Sequence, residues 1–146
     1  MRIYQKNQPD MNPIVRNILA VIAGVFLGMV ANMAIFMLFM IFIPLPEGVD
    51  MNNLGEKIHL LEMKHFIGPF LAHAMHALLG AFVAAKLAVS RNMQLALLVG
   101  VIVLLSGIAN VIMINAPGWF TIADLALAYL PMAWLGGKLA GAKMKG

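Results

Sequence analysis

The chain has 146 residues, 62% of them hydrophobic and only 11% charged, where a soluble domain carries about 25% charged residues. That balance excludes an ordinary water-soluble domain, and the length suits a single domain solvated largely by lipid. The net charge of +4 is spread over segment ends, which reads as membrane topology rather than a nucleic-acid patch, and the lack of cysteine excludes disulfides and thiolate metal sites.

Residues 1–12 are polar. The apolar run after them is too long for a signal-peptide core and lacks a cleavage site, so it is expected to stay as an uncleaved first span. Asn12-Pro13 is a helix start signal, a capping side chain followed by a ring whose φ is already helical. The first span is expected over residues 14–43, with Pro44 and Pro46 ending it. A crossing needs about 20 residues, so this span should tilt or project. Ala20, Gly24 and Gly28 form a small-residue stripe at spacing four, which admits another helix closely; Asn32 continues it. Met29, Met33, Met37 and Met40 form a separate stripe, read as apolar filling rather than a copper(I) site.

Residues 44–65 form the one sizeable loop, with Glu47, Asp50, Glu56 and Glu62 in it. Asn53-x-x-Glu56 resembles a capping box and predicts a short helix over residues 54–65. A calcium loop beginning at Asp50 is discarded, because Leu54 supplies no side-chain oxygen at its fifth position. Gly68-Pro69 is expected to break or bend the backbone ahead of the second span.

The second span, residues 66–90, carries His73 and His76 where a histidine is least expected. Three apart, they share a helix face. His76, Gly80, Ala84 and Ala88 add a second small-residue face, the best candidate for the central helix contact. Arg91-Asn92 is a tight turn. The third span, residues 93–114, is nearly pure aliphatic apart from Ser106, Gly107 and Asn110. After a turn at residues 115–118, Trp119 and Phe120 suit a headgroup level. The fourth span is expected over residues 122–140, kinked at Pro131.

Eight basic residues fall on the N-terminal side, the second turn and the C-terminus, against Lys57 and Lys64 in the other loops. The bias puts both termini in the cytoplasm. The expected fold is therefore all-α, an integral-membrane four-helix bundle with a short helix in the first outer loop. A faint repeat supports two related hairpins: Ala31-Asn32 recurs as Ala109-Asn110, and Lys86-Leu87-Ala88 as Lys138-Leu139-Ala140.

His73 lies 13 residues before Lys86, and Asp124 lies 14 before Lys138. At 1.5 Å per residue both sit roughly 20 Å from the inner surface. Asn32 and Asn110 also fall in the outer halves of their spans, so His73, His76, Asp124, Asn32 and Asn110 form a candidate polar layer for a solute or proton. Competing readings stand beside it. Thr121-x-x-Asp124 is a capping box that would use Asp124 as a helix cap. The histidines and asparagines suit inter-helix hydrogen bonding. His73, His76, Glu62 and His65 are weak candidates for a transition metal, although His59 and His76 would lie about 25 Å apart on one helix. No cofactor is predicted, and no phosphate loop, zincin motif or nucleophile elbow fixes an enzymatic activity.

The segments LAHAMHALLGAFVAAKLA and SGIANVIM…APGWF…LALAYLPMAWLGGKLAG resemble a group of short four-span bacterial inner-membrane proteins with no assigned function. The resemblance covers the second to fourth spans and part of the first. It implies a bacterial inner membrane and supplies no activity. The membrane glutamate of small multidrug exporters and the charged signature of membrane glutathione-transferase relatives are missing. Three functions remain in view. The first is a homo-oligomer that moves a small solute or ion through a His/Asp layer. The second is a structural or accessory subunit packed on a partner membrane protein. The third is a histidine-based metalloprotein. Nucleic acid is not an expected partner.

Overall fold

A computed structural model describes residues 11–143. Those residues form helices joined by turns, with no strand among them. The helices are α1 (Pro13–Phe42), α2 (Leu54–Lys57), α3 (Lys64–Leu87), α4 (Asn92–Ile114), α5 (Gly118–Leu127) and α6 (Leu130–Leu139). Four stretches are long and apolar enough to cross a membrane: α1, α3, α4 and the α5–α6 pair taken together.

α1 starts where Asn12-Pro13 directs. The Asn12 side chain accepts the Ile14 N–H at 2.8 Å, and Pro13 is the first helical residue. α1 then runs for 30 residues, but only 6% of its most apolar stretch is buried against the rest of the chain. The buried residues are Ala20, Gly24 and Gly28.

α3 is the central helix, with α1, α4 and α6 packed on it. It manages three neighbours because its buried positions are mostly alanine and glycine, so backbones approach closely. The two small-residue stripes meet. A Cβ placed on Gly24 would strike the Gly80 carbonyl and lie 3.0 Å from the Ala84 Cβ. One placed on Gly28 would strike the His76 backbone. On the other side of α3, Gly136 of α6 faces the Leu78 carbonyl just as closely. Ala77, Ala81, Ala85, Met93, Ala96 and Ala133 form the core at the end of the bundle nearer the termini.

The turns are held by asparagines. The Asn92 side chain donates to the Ala85 and Ala88 carbonyls at 2.8 and 3.1 Å, closing the end of α3. Asn17 near the start of α1 accepts the Val89 N–H and donates to Ser90 Oγ, both at 3.0 Å. Arg91 turns the chain with φ at 53°.

Three local expectations are corrected. The helix expected over residues 54–65 is only α2 followed by a 3-10 turn over Ile58–Leu60, and Leu61 is extended. The reason is that Asn53 does not cap. Its side-chain oxygen accepts the Asp50 N–H, while Asp50 in turn accepts the N–H groups of Asn52 and Asn53. This reciprocal turn uses up the side chain that the capping box required. Gly68-Pro69 does not separate the loop from the second span: α3 begins at Lys64 and continues through Pro69. A proline this near the helix start forfeits a single backbone bond. The fourth span, in contrast, is more than kinked. It divides at Ala128–Tyr129, where Tyr129 has φ −110° and ψ −81°. Pro131 cannot donate to the Leu127 carbonyl, and its ring would press on it.

Candidate functional site

Asp124 is the single buried charged side chain among the described residues, with 0% exposure. It lies inside α5, which starts at Gly118, so it is the seventh helical residue and no cap. The Thr121-x-x-Asp124 capping box is thereby overturned. Thr121 is itself inside the helix, and its hydroxyl turns back to the Ala116 carbonyl at 3.5 Å. α5 begins a turn earlier than the sequence reading had it, because Pro117 takes the position before the first helical residue.

The partners of Asp124 come from elsewhere. His73 of α3 brings Nδ1 to 3.0 Å from both carboxylate oxygens. Tyr129 donates its hydroxyl to Oδ2 at 2.8 Å. In an unbroken helix a residue five further on points about 140° away, from 100° per residue. The break at Ala128–Tyr129 lets Tyr129 reach back to Asp124. The Tyr129 ring also stacks on the His73 imidazole, with centroids 5.7 Å apart and planes 28° from parallel. α4 supplies the space: a Cβ on Gly107 would overlap the Tyr129 hydroxyl. Three helices and the α5–α6 break thus build the cluster, through His73, Gly107, Asp124 and Tyr129.

Tyr129 was missed by the sequence reading, since tyrosine in an apolar run is ordinary. The usable signal was a phenol five residues from an aspartate in an apolar run and two before a proline. A buried hydroxyl needs a partner.

His73 opens on one side. It lines a cleft of about 740 Å³ between α1, α3 and α4, roofed by the loop residues Met51, Leu54, Ile58 and Leu61. Asn32 from α1 and Asn110 from α4 line the same cleft. His65 is the other polar residue on the wall, its Nδ1 taken by the Glu62 N–H, and the rest is apolar, including Phe36, Met40, Phe66 and Val111. Met33 and Met37 on its rim are 55 and 60% exposed, so the cleft opens sideways. Phe66, Trp119 and Phe120 close the neighbouring end of α3 and α5, with ring centroids 4.9 to 5.9 Å apart.

His76 does not join this group. It faces α1 rather than α5, where its ring packs into the notch at Gly28. Its Nε2 is enclosed and has no hydrogen-bond partner. The polar layer expected from His73, His76, Asp124, Asn32 and Asn110 therefore separates. His73 and Asp124 touch, Asn32 and Asn110 share a cleft with His73, and His76 is apart.

Among the described residues, no group of three or more His, Asp or Glu side chains is placed to hold a metal ion. His65 accepts the Glu62 N–H at Nδ1, and Glu62 pairs with Lys64 at 3.1 Å, so the Glu62–His65 motif forms a helix-start turn. His73 with Asp124 is a two-residue pair whose facing atoms already bond each other.

No family model, curated protein or solved structure matches the sequence.

Proposed function

We propose that this chain crosses a bacterial inner membrane four times, with both termini cytoplasmic, and moves or helps to move a small solute or ion. The His73–Asp124–Tyr129 cluster is its protonatable binding point. One observation carries this reading: a fully buried carboxylate is held by two side chains, one of which, His73, lines an open cleft. Ionisable groups in apolar surroundings are costly and mark solute or proton sites by default. A structural role alone would be met as well by an uncharged pair.

The end of the bundle nearer the termini is filled by close-packed alanine and glycine. Movement through one copy would have to part that packing. The moving form is therefore a homo-oligomer, or a copy joined to a partner, that completes the cleft wall.

The test uses proteoliposomes loaded with a pH-sensitive dye. They receive an external acid step, alone and with small anions, cations and neutral polar solutes added in turn. Wild-type protein acidifies the lumen faster than His73→Ala/Asp124→Asn protein under at least one condition. Identical traces throughout overturn the proposal.

A second reading has its own support. α1 leaves most of its length uncovered by the rest of the chain, which suits an accessory subunit packed on a partner membrane protein. Stoichiometric co-purification of one membrane partner, with no flux difference in the liposomes, selects it.

A further inference from the structure

The cleft beside His73 has the dimensions of a small-molecule site, within the several-hundred Å³ range in which ligands are bound. Its chemistry can be narrowed by counting protons in the cluster. Asp124 is wholly enclosed, and no lysine or arginine lines the cleft. An unbalanced charge in such surroundings is expensive, so the favoured arrangements carry no net charge.

Two arrangements meet that condition. In one, imidazolium faces carboxylate. In the other, the carboxylic acid donates its proton to Nδ1 of a neutral imidazole. A third would turn the acid proton towards Tyr129, but that would leave the Tyr129 hydroxyl proton with no acceptor among the described residues. In both surviving arrangements the remaining ring nitrogen, Nε2, carries a hydrogen. Nε2 makes no hydrogen bond among the described residues, and it is not enclosed, as the corresponding atom of His76 is. His73 lines the cleft, while Asp124 and Tyr129 do not. The floor of the cleft thus offers an N–H donor, and the amides of Asn32 and Asn110 add both a donor and an acceptor each beside it.

We propose that the cleft binds a neutral carbonyl compound taken from the lipid phase, such as a ketone, quinone or ester. Its carbonyl oxygen accepts from His73 Nε2–H, and its apolar body lies along Phe36, Met40 and Val111. Three features select this class. The floor donates, so the ligand accepts. The walls carry no fixed cation, so an anion would be left unbalanced. The rim at Met33 and Met37 is apolar and exposed, so entry is sideways from acyl chains rather than through water. From His73 to His65 the cleft side of α3 spans eight residues, about 12 Å at 1.5 Å per residue, which limits the body it can cover. The proposal rests on the reading of the His73 cluster as a binding point, but not on movement across the membrane.

The experiment is photolabelling in liposomes with a long-chain ketone that carries a diazirine in its tail. The control is the same chain with a methylene in place of the carbonyl. Labelled residues are mapped by peptide sequencing. In wild type, the ketone labels Phe36, Met40 or Val111 about fivefold more than the control does, the preference expected of one hydrogen bond of about 1 kcal/mol. His73→Phe abolishes that preference. Asn110→Leu, which leaves the Asp124 cluster untouched, reduces it about twofold. Both probes label the outward residues Ile22 and Phe26 alike, as bulk lipid would.

Equal labelling of the cleft by ketone and control overturns the inference, as does labelling confined to Ile22 and Phe26. A preference that survives both substitutions also overturns it. The acid-step assay is independent of these outcomes. Ketone preference without a flux difference would leave the site standing and remove the movement reading.

Discussion

The two ends of the bundle are built on different principles. Nearer the termini, α1, α3, α4 and α6 touch through alanine and glycine, and backbones nearly meet at Gly24–Gly80 and Gly136–Leu78. Nearer the loop, α3, α5 and the α5–α6 break carry large and polar side chains: Phe66, His73, Phe120, Asp124 and Tyr129. Small residues give tight contact without directional demands. The polar cluster has demands at every atom, and it leaves room for a cleft beside it. The comparison separates what holds the helices together from what the protein offers to a ligand, and it predicts that the two ends respond differently to substitution.

The largest effect is expected at the tight end. Gly24→Leu must push α1 away from the Gly80 carbonyl along a backbone contact that cannot yield. Overpacking of this kind destabilises by about 3 kcal/mol. Unfolding in detergent, followed by circular dichroism, should show it. A variant as stable as wild type would mean that α1 does not seat on α3 as described.

Asp124→Leu comes next. It strands the Tyr129 hydroxyl and His73 Nδ1, at about 1–3 kcal/mol for unpaired buried groups. Tyr129→Phe, which removes a single bond to Oδ2, should cost less, about 1 kcal/mol. The order Asp124→Leu above Tyr129→Phe, measured by the same unfolding method, tests whether Asp124 is the hub.

Gly107→Ala links α4 to the cluster. The added methyl displaces the Tyr129 hydroxyl, at about 1–2 kcal/mol. Combined with Tyr129→Phe it should cost less than the sum, since neighbouring sites couple. Strict additivity would mean that Gly107 is not the notch for that ring. The smallest effect is expected from Asn17→Ala, whose partially exposed hydrogen bonds to Val89 and Ser90 are worth about 0.6 kcal/mol by the average for inter-helix bonds in lipid.

The tight end was legible in the sequence because its code is simple. Small residues at spacing four mark a helix face, and the stripes at Ala20–Gly24–Gly28 and His76–Gly80–Ala84 do meet. Four apolar runs separated by proline, asparagine and arginine likewise gave the helix order. The polar end was less legible, since its elements are set by competition. Asn53 had two uses, and the turn with Asp50 won over the cap. Thr121 and Asp124 matched a capping box, but Pro117 started the helix earlier. His73 and His76 share a spacing yet face different helices, because α3 has neighbours on several sides. Periodicity names a face. It does not say which neighbour that face will meet.

The chain order of the cluster has a consequence for biogenesis. Synthesis runs from the N-terminus, and the seam between α1 and α3 needs only the first 87 residues. That hairpin can close while the rest of the protein is still on the ribosome. His73 then waits for its partners, because Asp124 and Tyr129 are made about 50 residues later, several seconds at ordinary elongation rates. The last helices to arrive are the ones that satisfy it. A chain cut short before Asp124 would lack both groups that His73 meets in the finished protein.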